Sequence, residues 1–106
     1  MVDGLWTVEF SSSLGLAGKG VLVIEDNRLL GGDAGYYYHG TFNLEKGNFT
    51  GELTITRYDK TSISVFGNRD KFSFGFTGKL LQDDFEIKAS FGEYKFQARG
   101  KKQKDF

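Results

Sequence analysis

The chain has 106 residues, no cysteine, no proline, and 14 basic against 14 acidic side chains. That length bounds it to one domain, residues 1–106, and the missing cysteine removes disulfides and thiolate metal sites. A balanced charge argues against a nucleic-acid partner, whose binder carries a basic stripe, and no apolar run nears the roughly 18 residues of a membrane helix. The start, Met1-Val2-Asp3-Gly4, shows no secretory pattern, so the expectation is a cytoplasmic protein with neither membrane nor nucleic acid as partner. The one basic cluster, Lys101, Lys102 and Lys104, reads as a solvated C-terminal end.

Alternation with period two, the mark of strands, runs through nearly the whole chain. At the start Trp6, Val8 and Phe10 share one face, and residues 11–15, Ser-Ser-Ser-Leu-Gly, read as a loop. Residues 21–25 form the next strand. Asp26-Asn27 then suits a two-residue hairpin, because both residues tolerate positive φ. That turn opposes Glu25 to Arg28, Ile24 to Leu29 and Val23 to Leu30, and leaves the hairpin apolar on both faces. Gly31-Gly32-Asp33-Ala34-Gly35 follows as a sharp corner into Tyr36-Tyr37-Tyr38-His39.

Residues 36–43 and 48–58 make a second hairpin around Leu44-Glu45-Lys46-Gly47. A four-residue loop opposes Phe42 to Phe49, Tyr38 to Leu53 and Tyr36 to Ile55 on the apolar face, and His39 to Glu52 and Tyr37 to Thr54 on the other. Residues 59–70 read as a long connection with a short strand or a turn of helix. Phe72, Phe74 and Phe76 then alternate with small residues, and a turn at Gln82-Asp83 opposes Leu80 to Phe85, Gly78 to Ile87, Phe76 to Ala89 and Phe74 to Phe91. The last hairpin turns at Gly92-Glu93, with glycine at the first central position of a type II′ turn. It opposes Ile87 to Ala98 and, outside, Glu86 to Arg99. About eight strands joined by short hairpins, with no amphipathic helix, define an all-β, small antiparallel up-and-down barrel. Its interior is expected to be mostly filled by rings, with room where glycine replaces a side chain.

Chemistry-bearing residues are sparse. His39 is the only histidine, and its plain role is a cross-strand pair with Glu52. One carboxylate, Asp33, is too few for a calcium or magnesium cage and suits a turn cap. No nucleophile elbow appears, so neither catalysis, a metal nor a cofactor is expected. Trp6, Phe10, Tyr36, Tyr38, Phe42, Phe74 and Phe76 point to one interior, where they either line a cavity for a small hydrophobic ligand or make a filled aromatic core. Val21, Val23 and Leu30, extended by Tyr37 and Tyr58, form an outer apolar patch. It is either an interface or the seat of a covering loop, 11–18 or 59–68.

The phrases Gly4-Leu5-Trp6-Thr7-Val8, Gly20-Val21-Leu22-Val23-Ile24, Arg28-Leu29-Leu30-Gly31-Gly32-Asp33, Tyr38-His39-Gly40 and Arg57-Tyr58 together resemble the GrlR family of small bacterial negative regulators of type III secretion. The resemblance covers about the first two-thirds of the chain; beyond it Ser64-Val65-Phe66-Gly67 also matches. It implies a lipocalin-like barrel, incompletely closed in some arrangements, with a hydrophobic cavity and a homodimer. It further implies a non-enzymatic regulatory or adaptor protein whose partner is a protein such as a transcriptional regulator. The founding repressor meets its activator through an acidic loop. The matching loop here, Leu44-Glu45-Lys46-Gly47, keeps only Glu45 acidic beside Lys46, and these two are the candidate partner-loop residues.

Overall fold

A computed structural model describes residues 2–15, 17–62 and 70–106. Its elements are β1 (Gly4–Ser12), β2 (Ala17–Glu25), β3 (Arg28–Gly32), β4 (Tyr36–Glu45), β5 (Asn48–Arg57), β6 (Lys71–Leu81), β7 (Asp84–Phe91) and β8 (Tyr94–Asp105). Each strand pairs antiparallel with the next, and β8 pairs with β1, so the barrel is closed. The resemblance leaves open whether the wall closes, and that last ladder closes it. Closure removes the exposed sheet edge that an open barrel would leave.

The closing strand is the basic end of the chain. Lys101 pairs with Thr7, Lys102 with Trp6 and Lys104 with Leu5, with a bulge between Leu5 and Trp6. The C-terminal lysines are therefore part of the wall, with Lys101 and Lys104 exposed on its outside. Lys102 points inward with its side chain only 7% exposed, its Nζ 2.7 Å from Asp105 Oδ1 and 5.5 Å from the Trp6 ring centroid. An ammonium over an indole face is a favourable pairing when partly desolvated. The same contact holds the Asp105 carboxyl below its ordinary value.

Three hairpin registers match the two-residue turns read from the sequence. Asp26 and Asn27, at φ 52° and 60°, make a type I′ turn that opposes Glu25 to Arg28 and Val23 to Leu30. Gln82-Asp83 and Gly92-Glu93 set the registers of β6–β7 and β7–β8 as their spacing requires. The β4–β5 register differs from the four-residue-loop reading. Lys46 and Gly47, at φ 53° and 80°, form a second two-residue type I′ turn, and Glu45 and Asn48 close it as a pair. The whole ladder moves by two: Phe42 opposes Gly51, Tyr38 opposes Ile55, and His39 opposes Thr54, while Glu52 opposes Thr41. A shift of two keeps every residue on its face, so the core survives the correction and the His39–Glu52 pair does not.

The β6–β7 ladder ends at Phe76 and Ala89, without the expected Phe74–Phe91 pair. Two phenylalanine rings directly opposed inside a narrow barrel would compete for one space. Instead Phe91 lies against Phe72, with centroids 5.5 Å apart, and Phe74 against Phe96 at 5.3 Å.

Inward positions of all eight strands form one core. The termini and the three turns at 26–27, 46–47 and 82–83 gather at one end. There Trp6, wholly buried, donates its indole N–H to the Val2 carbonyl at 2.9 Å and meets Phe85 at 4.9 Å. Phe49 stands edge-on to both Phe42, at 5.3 Å, and Phe85, at 6.0 Å. Edge-to-face contact suits rings whose faces are negative and edges positive. This end is therefore stoppered. The opposite end carries the β1–β2, β3–β4, β5–β6 and β7–β8 connections. The strand or helical turn expected in residues 59–70, and the Ser64-Val65-Phe66-Gly67 phrase, fall largely or wholly on residues 63–69, outside the described ones.

Candidate ligand cavity

The inner face of β2 changes character along its length. Leu22 and Ile24 fill the stoppered half, while Gly18 and Gly20 occupy the inward positions nearer the mouth. A Cβ on Gly20 would overlap the Tyr38 hydroxyl, and one on Gly18 would press on the Phe10 ring. Glycine there hands wall space to two large rings that stand edge-on, 6.2 Å apart. The result is a cavity of about 310 Å³. Phe49 and Phe85 floor it, Val8, Leu22, Leu53, Ile55, Phe72, Phe76, Ile87 and Phe96 are among its walls, and Asp33, Ala34, Gly35 and Ser62 lie at its mouth.

Of the residues expected to line it, Phe10, Tyr36, Tyr38 and Phe76 do so. Trp6 and Phe42 sit in the stopper behind Phe49 and Phe85, and Phe74 packs into the Phe72 and Phe96 rings, so these three support the walls without lining them. Among the lining residues, sequence reasoning missed Gly18, Lys19 and Ser62 and the rings of Phe49, Phe72, Phe85 and Phe96. Ala17-Gly18-Lys19-Gly20, with two glycines and no large apolar residue, looks like loop in the sequence, whereas in the barrel it is strand.

The mouth is held by a compact hydrogen-bond network. Asp33 Oδ1 accepts from the Gly35 and Tyr36 amides at 3.0 and 2.9 Å, the turn cap its type implies. Asp33 Oδ2 also accepts from the Tyr38 hydroxyl at 2.6 Å, a short bond to an ionised acceptor. Burial first, and then that bond and the nearby charge, push the Tyr38 phenol well above its ordinary value. The start of the β5–β6 connection lies against this corner. Tyr58 donates its amide to the Gly35 carbonyl at 2.9 Å and its hydroxyl to the Asp33 carbonyl. Tyr36 donates its hydroxyl toward the Ser62 carbonyl at 3.4 Å. Gly35 is in such close contact with Ser62 that a Cβ would overlap its side chain. Arg57, its side chain 11% exposed, donates to the Ser62 carbonyl at 3.0 Å and pairs with Asp70 through Nε and an Nη. Asp70 holds the guanidinium pKa above its ordinary value.

Outside the barrel, Val21 and Leu30 are half exposed, at 50% and 51%, and Val23 is partly covered. Leu5 opposes Val23 and joins them. Tyr37 stacks on Tyr58 with centroids 6.4 Å apart, and His39 lies on its other side at 6.4 Å. Residues 11, 12, 17 and 18 belong to β1 and β2 and do not fold over this patch. Glu45 and Lys46 sit at the stoppered end, far along the chain from the mouth, with Lys46 inside the tight turn. Among the described residues no three histidine, aspartate or glutamate side chains gather as a metal site, and no helix is long and apolar enough to cross a membrane. No protein-family model matches the chain, and no curated protein matches it either.

Proposed function

We propose that the chain is a non-enzymatic binding protein, a carrier or sensor that holds one small apolar molecule inside its barrel. The cavity carries this reading: about 310 Å³ of largely apolar space, stoppered at one end and bordered at the other by a few polar groups. Ligand sites have this character. At about 30 Å³ for each water-sized heavy atom, the space fits on the order of ten heavy atoms. Burying about ten methylenes yields roughly 8 kcal/mol, and association costs at least about 4 kcal/mol. Burial alone therefore gives a dissociation constant on the order of a millimolar, and polar contacts at the mouth must supply the rest. Native mass spectrometry of the protein from its own cells is the test. A bound small molecule is expected, and its loss from a folded Ala98→Leu variant, which fills the cavity wall, would fix the site. A wild-type protein that flies free at every gentle setting argues against the reading.

A second reading is favoured by the outer patch. Leu5, Val21, Val23, Leu30, Tyr37 and Tyr58 form a contiguous apolar surface with no charge among them. A two-fold homodimer uses one self-complementary patch of this kind, and the resemblance to GrlR-type regulators supports a regulatory or adaptor role built on it. In that reading the barrel works in the cytoplasm, dimerises, and meets a protein partner such as a transcriptional regulator. The two readings are compatible: ligand inside, partner outside.

A further inference from the structure

We infer that the mouth of the cavity is an ammonium site, so that the ligand class is an apolar primary amine of about ten heavy atoms, its head on Asp33 and its tail toward Phe49 and Phe85. This rests on the carrier reading and goes beyond it by naming the head group. Among the described residues that line the cavity, Asp33 is the one carboxylate and Lys19 the one cation. Lys19 turns its ammonium out of the cavity: its side chain is 82% exposed and its Nζ lies 3.6 Å from Glu9. The guanidinium of Arg57 does not line the cavity and is engaged by Asp70 and the Ser62 carbonyl. Among the described residues that line the cavity, the one charge not turned outward is therefore that of Asp33.

Capping the corner does not require that charge. An asparagine oxygen could take the Gly35 and Tyr36 amides as Asp33 Oδ1 does. The surplus is at Oδ2, which accepts from Tyr38, while a carboxylate accepts about four bonds in all. Asp33 lines the cavity, so its carboxylate borders apolar space. A cationic head supplies N–H donors to it, an alcohol supplies one, and a carboxylate head meets like charge. Tyr38 strengthens the choice: held as the neutral phenol by burial and by Asp33, it donates to the carboxylate and fixes its rotamer.

The experiment is calorimetric titration of the full chain with decylamine, decanol and decanoate, each below its aggregation concentration, at neutral pH. Decylamine is expected to bind at least about tenfold tighter than decanol, with decanoate weakest, since hydrogen bonds to charged groups are the stronger ones. Asp33→Asn should abolish the amine preference and leave decanol unchanged. Tyr38→Phe, which frees Oδ2 while the Gly35 and Tyr36 amides still hold Oδ1, should keep it. Equal binding of amine and alcohol, or a preference that survives Asp33→Asn, overturns the ammonium site while leaving the carrier reading intact. Binding of none of the three overturns both. Should Asp33→Asn not fold, nuclear Overhauser contacts in the wild-type decylamine complex decide: the nitrogen-bearing methylene beside Tyr38 supports the site, and the same methylene beside Phe49 overturns it.

Discussion

The Gly20–Tyr38–Asp33 contact gives the sharpest perturbation. Alanine at 20 puts a methyl group where the Tyr38 hydroxyl now lies, so the ring must swing and the 2.6 Å bond to Asp33 breaks. A hydrogen bond to a charged group is worth about 1.5–3 kcal/mol, and glycine to alanine returns about 0.4–1 kcal/mol through the unfolded chain. The net loss is about 0.5–2.6 kcal/mol, which lowers Tm by roughly 2–21 °C in a domain of this size. The new methyl also meets the Gly32 carbonyl oxygen at 2.9 Å, a cost that does not depend on Tyr38. A double-mutant cycle separates the two. Gly20→Ala, Tyr38→Phe and the double variant are unfolded by urea and heat and followed by circular dichroism. In the Tyr38→Phe background the Gly20→Ala cost should shrink by at least about 1 kcal/mol. An equal cost in both backgrounds, or no cost in the wild type, would show that Gly20 does not make room for the hydroxyl.

Further outcomes follow from the same structure. In an alkaline spectrophotometric titration one tyrosine, absent from Tyr38→Phe, should ionise only as the protein unfolds. Its folded pKa lies above the unfolded value of about 10. The phenol therefore stabilises the fold fully below pH ~10 and loses that contribution as pH rises above it. Trp6→Ala should cost about 3–5 kcal/mol in urea unfolding, because it opens the stopper beneath Phe85 and strips Lys102 of its ring; a loss under about 1 kcal/mol would contradict the packing. Val23→Asp should convert a dimer to a monomer in light scattering if the outer patch joins two copies, and an unchanged mass would remove the patch from that role. His39→Ala should leave ligand binding and stability as they are, since His39 stands on the outer wall with Thr54 and Tyr37 as neighbours.

Much of the barrel is legible in the sequence because its turns are short. Asp-Asn at 26–27 and Gly-Glu at 92–93 declare a positive φ, and a two-residue turn leaves no freedom in the register. Lys46-Gly47 hides the same geometry behind a residue that seldom adopts positive φ, so the loop reads as longer and His39 is given the wrong partner. The inward aromatic faces are legible through period two, which is blind to a shift of two residues. The cavity is less so. It depends on glycines at 18 and 20, whose meaning is the size of Phe10 and Tyr38 on other strands, and no local pattern records that. Asp33 is readable as a cap from its neighbours, but its second oxygen reaches Tyr38 only once β3 and β4 pair. Likewise Lys102 looks like one more tail lysine until β8 closes on β1 and sets it over Trp6.

The central claim is that the space between the glycine-lined wall and the Phe49–Phe85 floor admits an apolar molecule. Amide NMR spectra recorded while the protein is titrated with decanol, which carries no charge, test it most directly. Saturable shifts are expected at Gly18, Gly20, Gly35, Tyr38 and Ile55, with Val21, Val23 and Leu30 on the outer face moving no more than the rest of the surface. Spectra that stay unchanged, or shifts confined to the outer face, would contradict a ligand-binding interior.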